Sequence, residues 1–181
     1  MKALAGVLCL PVLLVSAQAE PVRFEVTHRT VRQWSAPPEA VLWHVRQPGS
    51  LRELLPGLRR IEPLSEGVWL WETETRVPFS APQRNHFRVR LLTEGDSLAI
   101  WRSVSEEDPD WMECRARLRR TGPAQVRLEL EFRIRLERPS LAAVHWLAPV
   151  LGKRFLQERI QERLVEMVET FLERLEKRLR T

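Results

Sequence analysis

The chain has 181 residues, 44% hydrophobic and 29% charged, with 13 Pro, 7 Gly, 2 Cys and a formal charge of +5. That length suits one domain. Ordinary apolar content with low net charge excludes a disordered chain, and two Cys exclude a disulfide framework.

The extreme N-terminus carries the one long uncharged apolar run, so a polytopic helical membrane protein is excluded as well. The run reads as a secretory signal. Lys2 supplies the positive start, Ala3 to Val15 is an apolar stretch of 13 residues, and Ala17-Gln18-Ala19 places small residues around a cleavage point. A retained anchor is the competing reading. Lipidation at Cys9 is disfavoured because Leu8 precedes it where a small residue belongs. The expected organisation is a signal peptide over residues 1–19 and one domain over residues 20–181, exported to the periplasm or the exterior. Cleavage leaves Cys114 as the single thiol, which cannot form an internal disulfide and reads as a small buried hydrophobe.

The basic character comes from 26 Arg against 3 Lys. Arg stays charged to very high pH, so it inflates the isoelectric point while the net charge stays small, and here it interleaves with Glu as on a solvated ion-pair surface. A concentrated basic stripe with exposed aromatics is missing, so nucleic acid is excluded as a partner.

In chain order, Val22 to Trp34 alternates, with Phe24, Val26 and His28 on one face, as in a half-buried strand. Ser35-Ala36-Pro37-Pro38-Glu39 signals a helix start with Ser35 as N-cap, and a short helix follows over Ala40 to Val45. Gln47-Pro48-Gly49-Ser50 breaks it. Ser50 is then the expected cap of a second short helix, Leu51 to Leu55, with Glu53 completing a capping box. Pro56-Gly57 ends that helix.

Strands are expected at Arg59 to Leu64, Val68 to Phe79, Gln83 to Thr93, Ser97 to Ser103, Trp111 to Arg120 and Ala124 to Glu137. Turns at Ser65-Glu66-Gly67, Ser80-Ala81-Pro82, Glu94-Gly95-Asp96 and Thr121-Gly122-Pro123 separate them, with an acidic loop at Glu106 to Asp110. The last strand is the clearest. Val126, Leu128, Leu130, Phe132, Ile134 and Leu136 alternate with Arg and Glu. Successive hairpins imply an antiparallel sheet with one wet face. From Leu151 the apolar residues fall at helical spacings, through Phe155, Leu156, Ile160, Leu164, Val168, Phe171, Leu172 and Leu175. This is one long amphipathic helix, started by Pro139 or Pro149, with Pro149 the expected kink or restart, whose stripe covers the dry face of the sheet. Phe155 belongs to that stripe, so Phe155→Asp is expected to destabilise the fold.

A strand, two short helices, six strands and a long C-terminal helix form the helix-grip order. Ser35 to Trp43 is similar to a first-helix motif, and Leu54-Leu55-Pro56-Gly57-Leu58 to a characteristic turn. On these residues the chain resembles the START-like, or SRPBCC, superfamily, which includes polyketide cyclases and a carbon monoxide dehydrogenase-linked family. The resemblance implies an α+β helix-grip fold, in which a curved seven-stranded antiparallel sheet wraps around the long helix. It also implies a cavity between them for a lipid, quinone or polyketide. The implied lining is Trp71, Phe87, Val89, Leu91, Ile100, Met112, Cys114, Leu130 and Phe132 from the sheet, and Trp146, Leu147, Leu151 and Phe155 from the helix. His145 would orient a polar group of the ligand. The same stripes also serve a filled core.

Catalytic patterns are weak. His28, His44, His86 and His145 have no metal-ligand spacing, and no Ser sits in a nucleophile elbow. Cys114 lies on a dry face, where burial blunts a thiol. The acidic loop lacks a calcium-loop pattern and reads as a solvated turn. No cofactor is implied. The expected function is non-catalytic binding of a small hydrophobic ligand in the cell envelope. The alternatives are a cyclase- or aromatase-like enzyme, and an interaction protein with a filled core that touches membranes peripherally. An apolar strip of the long helix facing solvent would mark the last. The oligomeric state stays open.

Overall fold

The computed structural model describes residues 21–75, 82–145 and 147–180. The elements follow the expected order: β1 (Val22–Trp34), α1 (Pro38–Arg46), α2 (Pro48–Leu54), β2 (Leu58–Ser65), β3 (Val68–Thr75), β4 (Gln83–Glu94), β5 (Leu98–Ser103), β6 (Asp110–Gly122), β7 (Gln125–Arg138) and α3 (Ala148–Leu179). The seven strands form one antiparallel sheet in the order β1-β7-β6-β5-β4-β3-β2. It is curved and unclosed, with the long helix across its concave side. The far end of the expected third strand, Arg76 to Phe79, lies outside the described residues.

Strand parity sorts the residues as the alternation predicts. Phe24, Val26, Trp71, Phe87, Val89, Trp101, Met112, Cys114, Leu130 and Phe132 are buried on the inner face. Arg and Glu line the outer face. Ile100 is a correction. It pairs with Arg115 on one side and Leu92 on the other, while Ala99, Trp101 and Ser103 are the buried residues of this strand. The β5 segment is apolar on both faces, so alternation alone could not orient it.

The helix starts also differ from expectation. Pro37, not Ser35, occupies the N-cap of α1, without a side-chain cap, and α2 begins at Pro48 with Gln47 as its cap. Ser50 lies inside α2, where its hydroxyl sits 2.7 Å from His44 Nδ1. Proline at the first helical position explains both shifts, since its fixed φ and absent N–H already suit a helix start. The Pro56-Gly57 turn is as expected. Gly57 has a φ of 81°, and an added Cβ would lie 3.1 Å from the Glu74 carbonyl.

Helix α3 packs along β1 and also touches α1 and α2. Leu164, Val168, Phe171, Leu172 and Leu175 enter the main core. Leu156 joins Phe24 and Ala148 in a smaller cluster, against which Ile160 packs. The break expected at Pro149 occurs at Gly152, with a φ of 83° and a ψ of 160°. Pro149 instead sits in the first turn. Before and just after this break the stripe rotates outward. Leu151 and Phe155 are 43% and 38% exposed, and Phe155 lies under the Arg159 guanidinium at 5.4 Å. The expectation that Phe155 packs on the sheet is therefore corrected.

Edge strand β1 is closed by side chains of α3. Gln157 Nε2 donates to the Glu25 carbonyl at 3.1 Å, and Gln161 Nε2 to the Thr27 carbonyl at 3.0 Å. Four residues of helix rise about 6 Å and two residues of strand about 6.7 Å, so the two ladders match. Glu169 continues the contact. It receives Arg32 and lies 3.5 Å from His28 Nε2.

Candidate functional site

The inner face of the sheet divides into an aromatic floor and a polar end. The floor is built by β3, β4 and β5. Trp71 and Trp101 have ring centroids 5.2 Å apart, and Trp69 stands edge-on to Trp101 at 6.4 Å. Trp101 Nε1 donates to the Val45 carbonyl at 2.9 Å. Trp71 is 1% exposed, yet its Nε1–H has no acceptor among the described residues. A buried N–H without an acceptor costs free energy, so its presence among apolar neighbours needs a reason.

One rung further along β3 and β4 the inner face turns polar. Asn85 lies two residues before Phe87, Asp110 two before Met112, and Arg138 two after Leu136, so parity turns all three inward. Arg138 Nη1 donates to Asp110 Oδ1 at 2.6 Å, and Arg138 Nη2 donates to Asn85 Oδ1. Asn85 Nδ2 reaches Thr73 Oγ1 at 3.4 Å, and the His86 backbone N–H donates to Asp110 Oδ2 at 3.0 Å. Gln83 donates to the Val144 carbonyl, tying this end to the segment before α3. His145 is buried there, and its Nδ1 accepts the Leu147 N–H at 3.1 Å. That bond places the proton of a neutral ring on Nε2.

The arrangement can bind and orient. Both oxygens of Asp110 already accept hydrogen bonds, so the pair with Arg138 forms a neutral polar wall. Cys114 is buried, and burial pushes its thiol far above the ordinary range, which removes it as a nucleophile at neutral pH. Burial likewise lowers His44, assisted by the Arg178 charge. Among the described residues no group of three or more His, Cys, Asp or Glu could hold a metal ion. Two concavities among the described residues open to solvent. One of about 490 Å³ lies on α3 between Lys153, Arg154, Gln157 and Glu158, and one of about 250 Å³ lies on the outer face around Leu92 and Arg102.

Of the residues expected to line a cavity, Trp71, Phe87, Val89, Met112, Cys114, Leu130 and Phe132 come together on the inner face, with Leu91 half-buried beside them. Leu147 and His145 stand at its polar end. Ile100 is on the outer face, Leu151 and Phe155 face solvent, and Trp146 lies outside the described residues. Sequence reasoning missed Asn85, Asp110 and Arg138. Their signal was an apolar register interrupted by a polar residue at each strand end. Asp110 in particular belongs to the sheet, not to a solvated turn.

No family model matches the chain, and no curated protein does. Solved structures do. A START superfamily protein from Mycobacterium smegmatis superposes with a TM-score of 0.60 at 13% identity, covering 85% of this chain and 97% of that one. The Zhui aromatase/cyclase from a Streptomyces species gives 0.58 at 14% identity, over 85% and 95%. The di-domain aromatase/cyclase StfQ of the steffimycin pathway gives 0.58 at 12% identity over 86% of this chain, which spans 50% of its length. With the strand order, the paired short helices and the long C-terminal helix, these likenesses establish that the chain has the START-like, helix-grip fold.

Proposed function

We propose that this protein is an exported, non-catalytic binder of a small hydrophobic molecule that carries a hydrogen-bond acceptor. The observation that carries the reading is the Trp71 indole N–H. It is fully buried on the inner face, surrounded by apolar side chains and without an acceptor among the described residues. A ligand with a carbonyl or quinone oxygen would satisfy it, while the apolar wall holds the rest. The Asn85–Arg138–Asp110 end offers polar groups for a second attachment. The fold supports the reading, since solved proteins of this shape include a START superfamily protein and aromatase/cyclases. The mutual pairing of acid and base at the described polar end favours binding over cyclase-like chemistry.

Native mass spectrometry tests this on protein expressed as the full chain and recovered from the periplasm. The expected result is a reproducible extra mass that is released on denaturation and extracts into organic solvent. Trp71→Phe should lower retention of that ligand by up to about tenfold, the worth of one hydrogen bond. A clean apo mass would instead assign the inner face to a filled core, and equal retention in the variant would show that the ligand does not use the Trp71 N–H.

A further inference from the structure

The start of α3 exposes apolar side chains that the core does not use. Val150 is 83% exposed, Leu151 43% and Phe155 38%. They flank the Gly152 break, ahead of which Ala148 stays buried against Phe24 and Leu156. Lys153 and Arg154 lie between them in sequence and are exposed. From Pro139 through Gln157 the chain contains no carboxylate. Arg154 meets Glu158 at 3.0 Å, but that pair is 93% and 59% exposed and contributes little. The N-terminal segment joins the domain here as well. Val22 packs against the cluster of Phe24, Ala148 and Leu156.

We propose that this end of the molecule docks on an anionic lipid bilayer. Val150, Leu151 and Phe155 would enter the interface, and Lys153 and Arg154 would meet the head groups. A few apolar side chains bind a bilayer weakly, and adjacent cations supply the second attraction that makes such contacts effective. The combination fits an anionic membrane surface, because the exposed apolar side chains at the start of α3 have the exposed cations Lys153 and Arg154 between them, and the first carboxylate that follows, Glu158, pairs with Arg154. This surface stands independently of the inner-face reading.

Vesicle flotation tests the proposal on the exported protein. One set of vesicles is phosphatidylcholine alone, and the other includes phosphatidylglycerol. The wild type should float with the anionic vesicles and lose binding as salt rises. Val150→Asp with Leu151→Asp should weaken binding by at least about tenfold with an unchanged melting temperature. Val150→Asp alone suffices should the pair perturb folding, since Val150 is almost fully exposed. Lys153→Glu with Arg154→Glu should abolish the preference for anionic lipid. Leu92→Asp, at an exposed apolar site on the outer face, should change nothing. A wild type that does not float, a Val150→Asp variant that floats equally well, or an equal loss in Leu92→Asp would overturn the proposal. A dimer that Val150→Asp converts to monomer, with flotation unchanged, would assign the patch to a second copy of this chain.

Discussion

Arg138, Asp110 and Asn85 show how much one interruption of an apolar register can carry. Each sits where alternation calls for an apolar residue, and each faces inward at the same end of the sheet. Their side chains satisfy one another, as buried polar groups must. Removing one partner should cost more than the pair contributes. Arg138→Met leaves the Asp110 carboxylate largely buried without its cation, and urea unfolding should show a loss of about 3 kcal/mol. Adding Asp110→Asn should recover part of it. A single variant as stable as wild type would mean that solvent reaches this end freely. Alternation could place these residues on a face, but their mutual bonds depend on how β4 meets the far ends of the β6–β7 hairpin.

At the scale of the elements, α3 combines a regular stripe with one break. Its C-terminal half follows helical spacing, and Leu164, Val168, Phe171 and Leu175 are buried where periodicity puts them. Its first turns depart because Gly152 adopts a backbone conformation that L residues avoid, with no steric crowding at the position. Gly152→Ala should therefore lower stability by about 1–3 kcal/mol through backbone strain alone, read as a fall in melting temperature. The outer face of the sheet is legible in the same way. Glu131 receives Arg29 at 2.7 Å and Arg133 at 2.6 Å, and the Arg29 hydrogen bond is the main cause that holds its carboxyl below the ordinary range. A carboxyl with a lowered folded pKa stabilises the fold above its unfolded value, near about pH 4.3, and loses that contribution as the pH falls through the folded value. The stability advantage of wild type over Arg29→Ala should be constant above about pH 5 and shrink toward about pH 3. An advantage independent of pH would show that Arg29 acts through packing.

For the whole molecule, the order of elements and the dry face of the sheet were readable from local pattern. Period-two alternation sets which side of a strand is apolar, and turn residues set where hairpins close. The long apolar stripe required a partner, and the sheet is the surface long enough to take it. Helix starts were less legible, because Pro37, Pro48 and Ser50 offer competing local signals and only packing chooses among them. β5 could not be oriented because Leu98, Ile100 and Trp101 make both faces apolar. The glutamine ladder from α3 to β1 was hidden as well, since Gln157 and Gln161 look like any polar residues until an edge strand lies beside them. By itself, then, the sequence determined the α+β architecture, the strand alternation and the C-terminal stripe, since these follow from short-range periodicity. The tertiary structure decided the burial of the Trp71 indole with no acceptor among the described residues, the Arg138–Asp110–Asn85 wall and the exposed tip at Val150, because each depends on which distant elements meet.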